Sequence, residues 1–152
     1  MVDNVALYDA LKILCDRLKD IEWAVYGSLN LRLQGLDVKF SDIDIIVSIE
    51  DIYKVEKRLR DLLKTKTSKS TSLLGLCYKA KFEVEGYEIE VLADDLENSR
   101  NSFSNWDSAE IVDLSYRGLE FKGFSLRKEY ENYKLLNRER DSEKIEMLRK
   151  VI

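Results

Sequence analysis

Histidine is absent from this chain of 152 residues. Without it there is no usual general base, no imidazole metal ligand and no Ser-His or Cys-His nucleophile pair. Cysteine is nearly absent. Cys15 and Cys77 lack metal-ligand spacing, so zinc hydrolase chemistry drops out, and both read as reduced thiols rather than a disulfide. Proline is missing altogether, and no repeat or composition shift marks a boundary, so a single domain spanning 1–152 is expected. No apolar run approaches the ~20 residues of a membrane span and no signal-peptide pattern appears, which makes cytoplasm the expected location, with no membrane partner. A net charge of −4 argues against strong nonspecific nucleic-acid binding, though not against contact with a short RNA end. What remains for chemistry is carboxylate, lysine, hydroxyl or an oxygen-coordinated divalent metal.

Carboxylates are present in a telling pattern. Asp42 and Asp44 alternate in SDIDIIV, inside otherwise apolar sequence. On a strand both point to one face while Ile43, Ile45 and Val47 point to the other. Two acids roughly 7 Å apart along a strand repel and are costly to bury unpaired, and a divalent cation is a common remedy. Upstream, Gly27-Ser28 sits where an expected strand, Trp23 to Tyr26, gives way to a short helix, Leu29 to Leu33. Glycine there admits a close ligand, and serine with helix-start N–H groups can hold phosphate.

The remaining pattern predicts alternating helices and strands. Leu7, Leu11, Leu14 and Leu18 mark the buried face of a helix over Asp3 to Asp20. A strand covers Asp42 to Val47, and a second helix spans about Ile49 to Leu63, its basic face of Lys54, Lys57, Arg58 and Lys64 reading as solvated. The stretch Lys64 to Ser72 reads as an exposed loop. A hairpin follows, Cys77 to Val84 and Tyr87 to Leu92 about a Glu85-Gly86 turn. In that register Val84 faces Tyr87, Phe82 faces Ile89, Ala80 faces Val91, Glu83 faces Glu88, and Lys81 faces Glu90, either as a plain cross-strand ion pair or to touch a phosphate. Ala93 to Ser108 is polar and reads as a long loop, a candidate flap over an acceptor site. Short strands are expected at Ile111 to Leu114 and Leu119 to Leu126, then a helix through Lys134 and a last helix from Asp141. In that last helix Ile145, Leu148 and Ile152 are expected inward, with Lys144, Arg149 and Lys150 facing water.

Gly-Ser, thirteen residues, then Asp-Ile-Asp, with a later acidic strand in YEIEVL, resembles the nucleotidyltransferase superfamily typified by DNA polymerase β, in its minimal single-domain form. Lys39 and Ser41 stand where relatives often carry a basic residue and a hydroxyl. The tail, SLRKE followed by Lys134 and then NRERD, is similar to toxin-type and antibiotic-modifying relatives. The resemblance implies an α/β (α+β) fold with a mixed twisted sheet flanked by helices. It also implies transfer of a nucleoside monophosphate from an NTP to a hydroxyl on a protein, a tRNA end or a small molecule. Two Mg²⁺ or Mn²⁺ ions about 3.5–4 Å apart would serve attacking and leaving oxygens. Asp42 and Asp44 would bridge them and Glu90 would be the third acid, with Glu88 its rival. Gly27, Ser28 and Lys134 would bind nucleotide, and Arg138 and Arg140 would either reach phosphates or pair with Glu139 or Asp141. A toxin with an antitoxin partner is one implied role. Relatives more often carry aspartate where Glu90 stands, which leaves open a catalytically inactive nucleotide- or protein-binding module.

Overall fold

The computed structural model describes residues 4–72, 75–99 and 110–152. Its frame is a seven-stranded sheet in the order β3-β4-β5-β2-β1-β7-β6. The strands are β1 (Trp23–Tyr26), β2 (Ile43–Val47), β3 (Leu63–Ser72), β4 (Gly75–Val84), β5 (Tyr87–Ser99), β6 (Ile111–Tyr116) and β7 (Leu119–Phe124). Among the described residues five α-helices accompany them: α1 (Val5–Arg17), α2 (Ser28–Leu33), α3 (Ile52–Arg58), α4 (Leu126–Leu136) and α5 (Ser142–Val151). The sheet is mixed: β2 runs parallel to β5 and β1 parallel to β7, and every other neighbouring pair is antiparallel.

Burial explains the centre of the sheet. Ala24, Val25, Ile43, Ile45, Ile46 and Val47 have no exposed surface, because helices cover both faces of β1 and β2. On one face the α1 stripe, Leu7, Leu11, Leu14 and Leu18, packs with Ile52 and Val55 of α3 and with Phe82, Ile89 and Val91 of the hairpin. Asn4 caps α1 by accepting from the Leu7 N–H at 3.1 Å. On the other face, Leu31 after the Gly-Ser turn meets Tyr133 of α4 and Leu148 of α5. The hairpin has the expected register, including Glu83 opposite Glu88 and Lys81 opposite Glu90.

Several expectations are corrected. Lys64 to Ser72 is not a loop but most of β3, an edge strand with register shifts between Leu63 and Ser68. Lysine and hydroxyl side chains suit an edge, where one row of backbone groups faces outward and charge discourages further pairing. Residues 93 to 99 continue β5 instead of opening a loop, and 100–108, the rest of the candidate flap, lie outside the described residues. The long second helix is only α3, followed by a 3-10 turn at Arg60–Leu62. Ile152 is exposed, and Lys144 is largely covered rather than facing water.

Candidate active site

Three neighbouring strands bring the acids and the turn to one place. In the sheet Asp44 lies opposite Tyr26 across the antiparallel pair and beside Glu90 across the parallel one. Adjacent strands are about 4.8 Å apart, so Glu90 is within carboxylate reach of Asp44. Asp42 stands at the bend just before β2, and Gly27 follows β1 directly. Gly27 has φ +80°, a conformation favouring glycine, and a Cβ there would lie 3.1 Å from Asp44 Oδ2.

These residues line a cavity of about 430 Å³ with Ser28, Lys79, Glu129, Asn132, Asp141, Lys144 and two arginines, Arg138 and Arg140. The sheet wall is mainly acidic and the C-terminal wall mainly basic. Burial, reinforced by Glu90, Asp42 and Glu88, pushes the Asp44 carboxyl up to about 7, while Lys144 opposes the shift. On the basic wall Asn137 adopts a left-handed conformation that ends α4 and turns the chain back. Arg138 Nε then pairs with the buried Asp141 Oδ2 at 2.6 Å, and Lys144 Nζ lies 3.8 Å from Oδ1. Asn132 Nδ2 and Asp141 Oδ1 are buried with no hydrogen-bond partner. A larger groove of about 620 Å³ beside Trp23 and Phe121 is lined by Lys19, Glu22, Glu120 and Lys122, all exposed, and offers no comparable convergence.

Asp42, Asp44, Glu90, Gly27 and Ser28 therefore share one cavity wall, but Lys134 does not join them. Its side chain is exposed and lies over the Tyr130 ring, 4.9 Å from the centroid. Helical phase is the reason: Glu129, Asn132, Tyr133 and Leu136 stand at i, i+3, i+4 and i+7 and face the cavity, and Lys134 follows Tyr130 on another face. The ion pair of Glu90 runs to Lys79 at 3.7 Å rather than to Lys81. Lys79 opposes Leu92, making it the diagonal neighbour of Glu90, within reach of a long side chain. Glu88 is engaged by Lys64 at 3.0 Å and is not part of the cavity lining.

Oxygen donors of this kind suit a hard divalent cation such as Mg²⁺, and a cation would offset both the burial and the neighbouring acids that raise Asp44. Among the described residues no three acids or thiols are drawn together as a preformed metal cage, Glu90 being held by Lys79. The fit is thus one of donor chemistry and position.

Glu129 escaped the sequence reading. Only 2% exposed, it accepts from the Gly27 N–H and from Asn30 Nδ2, each at 2.7 Å, through Oε2. Asn30, fully buried, also donates to the Phe124 carbonyl, and Gln34 closes the network onto Asn30 Oδ1. A Cβ on Gly123 would lie 2.4 Å from that oxygen, so β7 needs glycine there. Burial pushes Glu129 up to about 8 despite these bonds. A charged residue on the buried phase of α4 was the signal in SLRKE.

No protein-family model matches this chain, and no curated protein matches it significantly. Solved structures do. One is a "putative nucleotidyltransferase (TM1012)" from Thermotoga maritima, 27% identical, with a TM-score of 0.76 over 99% of this chain and 94% of that one. The fold is that of the nucleotidyltransferases. Lincosamide antibiotic adenylyltransferase LnuA, solved with lincomycin, matches with a TM-score of 0.60 at 16% identity over 99% of both chains. ANT(2'')-Ia, solved with adenylyl-2''-tobramycin, matches with a TM-score of 0.51 at 15% identity over 94% of this chain and 92% of that one. Among the described residues no helix is long and apolar enough to cross a membrane.

Proposed function

We propose that this protein is a metal-dependent nucleotidyltransferase that moves a nucleoside monophosphate from an NTP to a hydroxyl acceptor. The observation that carries the reading is the row Tyr26, Asp44, Glu90 beside Gly27, opening into a cavity whose other wall is cationic. On this reading Asp42, Asp44 and Glu90 hold Mg²⁺ or Mn²⁺, two ions being expected. When bound, the metal acidifies the attacking hydroxyl and neutralises the leaving pyrophosphate. Glu90, the third acid, would complete one metal site and take the hydroxyl proton. Arg138, Arg140, Lys144 and Lys79 supply positive charge for the triphosphate, the role that Lys134 was expected to share. Gly27 leaves room for the chain of phosphates and the Ser28 hydroxyl donates to it.

The acceptor is a protein side chain, a tRNA end or a small molecule. The ligands bound to LnuA and ANT(2'')-Ia support testing the small-molecule class first. A toxin role with an antitoxin partner rests on the sequence resemblance, and a cytoplasmic location is the expectation of the composition. One observation favours a second reading: Glu90 is tied to Lys79 in an open acidic cluster. A protein that kept that pairing would bind nucleotide or a partner protein without catalysis. Transfer of an α-phosphate label from NTP distinguishes the two.

A further inference from the structure

We propose that Glu129 is a positioning residue for the transfer reaction, holding the Gly27-Ser28 turn at a fixed distance from Asp44 from across the C-terminal half of the chain. The inference rests on the functional reading above. Two bonds to one oxygen carry it: the Gly27 N–H and Asn30 Nδ2 both donate to Glu129 Oε2 at 2.7 Å. They clamp the first residue of the turn and the third residue of α2 to a single point on α4. The clearance being set is narrow, because a Cβ on Gly27 would already stand 3.1 Å from Asp44 Oδ2.

The clamp also changes what the turn offers a nucleotide. Its first N–H is spent on Glu129, so the contribution of Gly27 is open space and that of Ser28 is its hydroxyl. An apolar side chain at position 129 would fill the same volume but leave two covered donors without an acceptor. Because Asn132, Tyr133 and Leu136 lie on the same stripe of α4, the clamp keeps that cavity wall in register with the acidic strand. Burial raises the proton affinity of Glu129, consistent with a role as hydrogen-bond acceptor rather than as fixed charge.

Glu129→Gln and Glu129→Met separate positioning from packing. The Gln variant keeps an acceptor oxygen, and its affinity for the Mg²⁺ complexes of ATP, GTP, CTP and UTP should stay within about threefold of wild type. The Met variant is of similar length but has no acceptor, and at temperatures where circular dichroism shows it folded it should bind about tenfold more weakly. Its KM should rise more than its kcat falls. A folded Met variant with wild-type affinity and KM overturns the inference while leaving the functional reading intact. Should that variant fail to fold, hydrogen exchange at the Gly27 amide of the Gln variant decides. Protection as in wild type supports the clamp, and free exchange overturns it. If wild type binds none of the four complexes, the functional reading falls and this inference with it.

Discussion

Asp44 and Glu90 occupy matched positions on parallel strands β2 and β5, their backbones paired in register and both side chains lining the same cavity. The proton affinity of Asp44 is raised because burial and three neighbouring acids act together, with Lys144 opposing them. Such a group destabilises the empty fold when ionised and is stabilised by a bound cation.

Asp44→Asn should therefore raise the melting temperature of the metal-free protein at pH 8, by the equivalent of about 1–3 kcal/mol. Mg²⁺ should raise that of wild type, by about 2.7 kcal/mol at a hundredfold excess over its dissociation constant, and leave the variant unchanged. Thermal unfolding with and without Mg²⁺ checks both. An unaltered Mg²⁺ response in the variant would put the ion elsewhere.

A second expectation concerns pH. Asp44 is pushed up to about 7 and Glu129 to about 8, whereas an unfolded chain holds both near ~4. Between these values the folded state binds protons that the unfolded state has released. Stability is thus fullest at the acid end of the window and falls as pH rises from about 4 to about 8, by up to ~1.4 kcal/mol per pH unit for each group. Glu90, Asp42, Glu88 and Lys144 act on Asp44, and Glu129 feels Asp44 and Lys144 beside its bonds from Asn30 and Gly27; Tyr133 is close enough to interact with both acids. Melting temperatures at pH 5, 6, 7 and 8 without metal test the slope. A rise over that window would contradict it.

Gly27 and Gly86 form a matched pair for a third experiment. Both have positive φ, +80° and +85°, but only at Gly27 would a Cβ meet another residue, the Asp44 carboxylate. Alanine should cost about 1–2 kcal/mol at Gly86, and about 1–3 kcal/mol at Gly27, whose φ +80°, ψ −155° conformation is nearly confined to glycine. Only Gly27→Ala should also weaken NTP binding, and Gly27→Val more so. Ser28→Ala should be milder, losing one hydroxyl contact of ~0.5–1.5 kcal/mol. Equal NTP affinity in wild type and folded Gly27→Ala would reduce the turn to strand-to-helix geometry.

Elements buried on both faces were the legible ones. Trp23–Tyr26 and Ile43–Val47 announce themselves because central strands need apolar side chains throughout, and the hairpin because only one register puts Ala80, Phe82 and Val84 opposite their apolar partners. Polar β3 was hidden, since an edge strand owes its existence to pairing with β4 rather than to its own pattern. At the site, Asp42, Asp44 and Gly27-Ser28 were readable from local sequence. Lys144 and Glu129 were not, because their relation to Asp44 depends on how α4 and α5 return to the sheet. Lys134 was misplaced for the same reason: its face of α4 was set by Tyr133 and Leu148 packing against Leu31.

The most direct test of nucleotidyl transfer uses one NTP labelled at either the α- or the γ-phosphate. Purified protein with Mg²⁺ is incubated with lincomycin, tobramycin, and the tRNA, protein and small-molecule fractions of a cell extract. Label should pass to an acceptor from the α position and never from the γ position, and should disappear in Asp42→Asn and Asp44→Asn variants that remain folded. Transfer from the γ position, or no transfer from either to any fraction, would contradict the assignment.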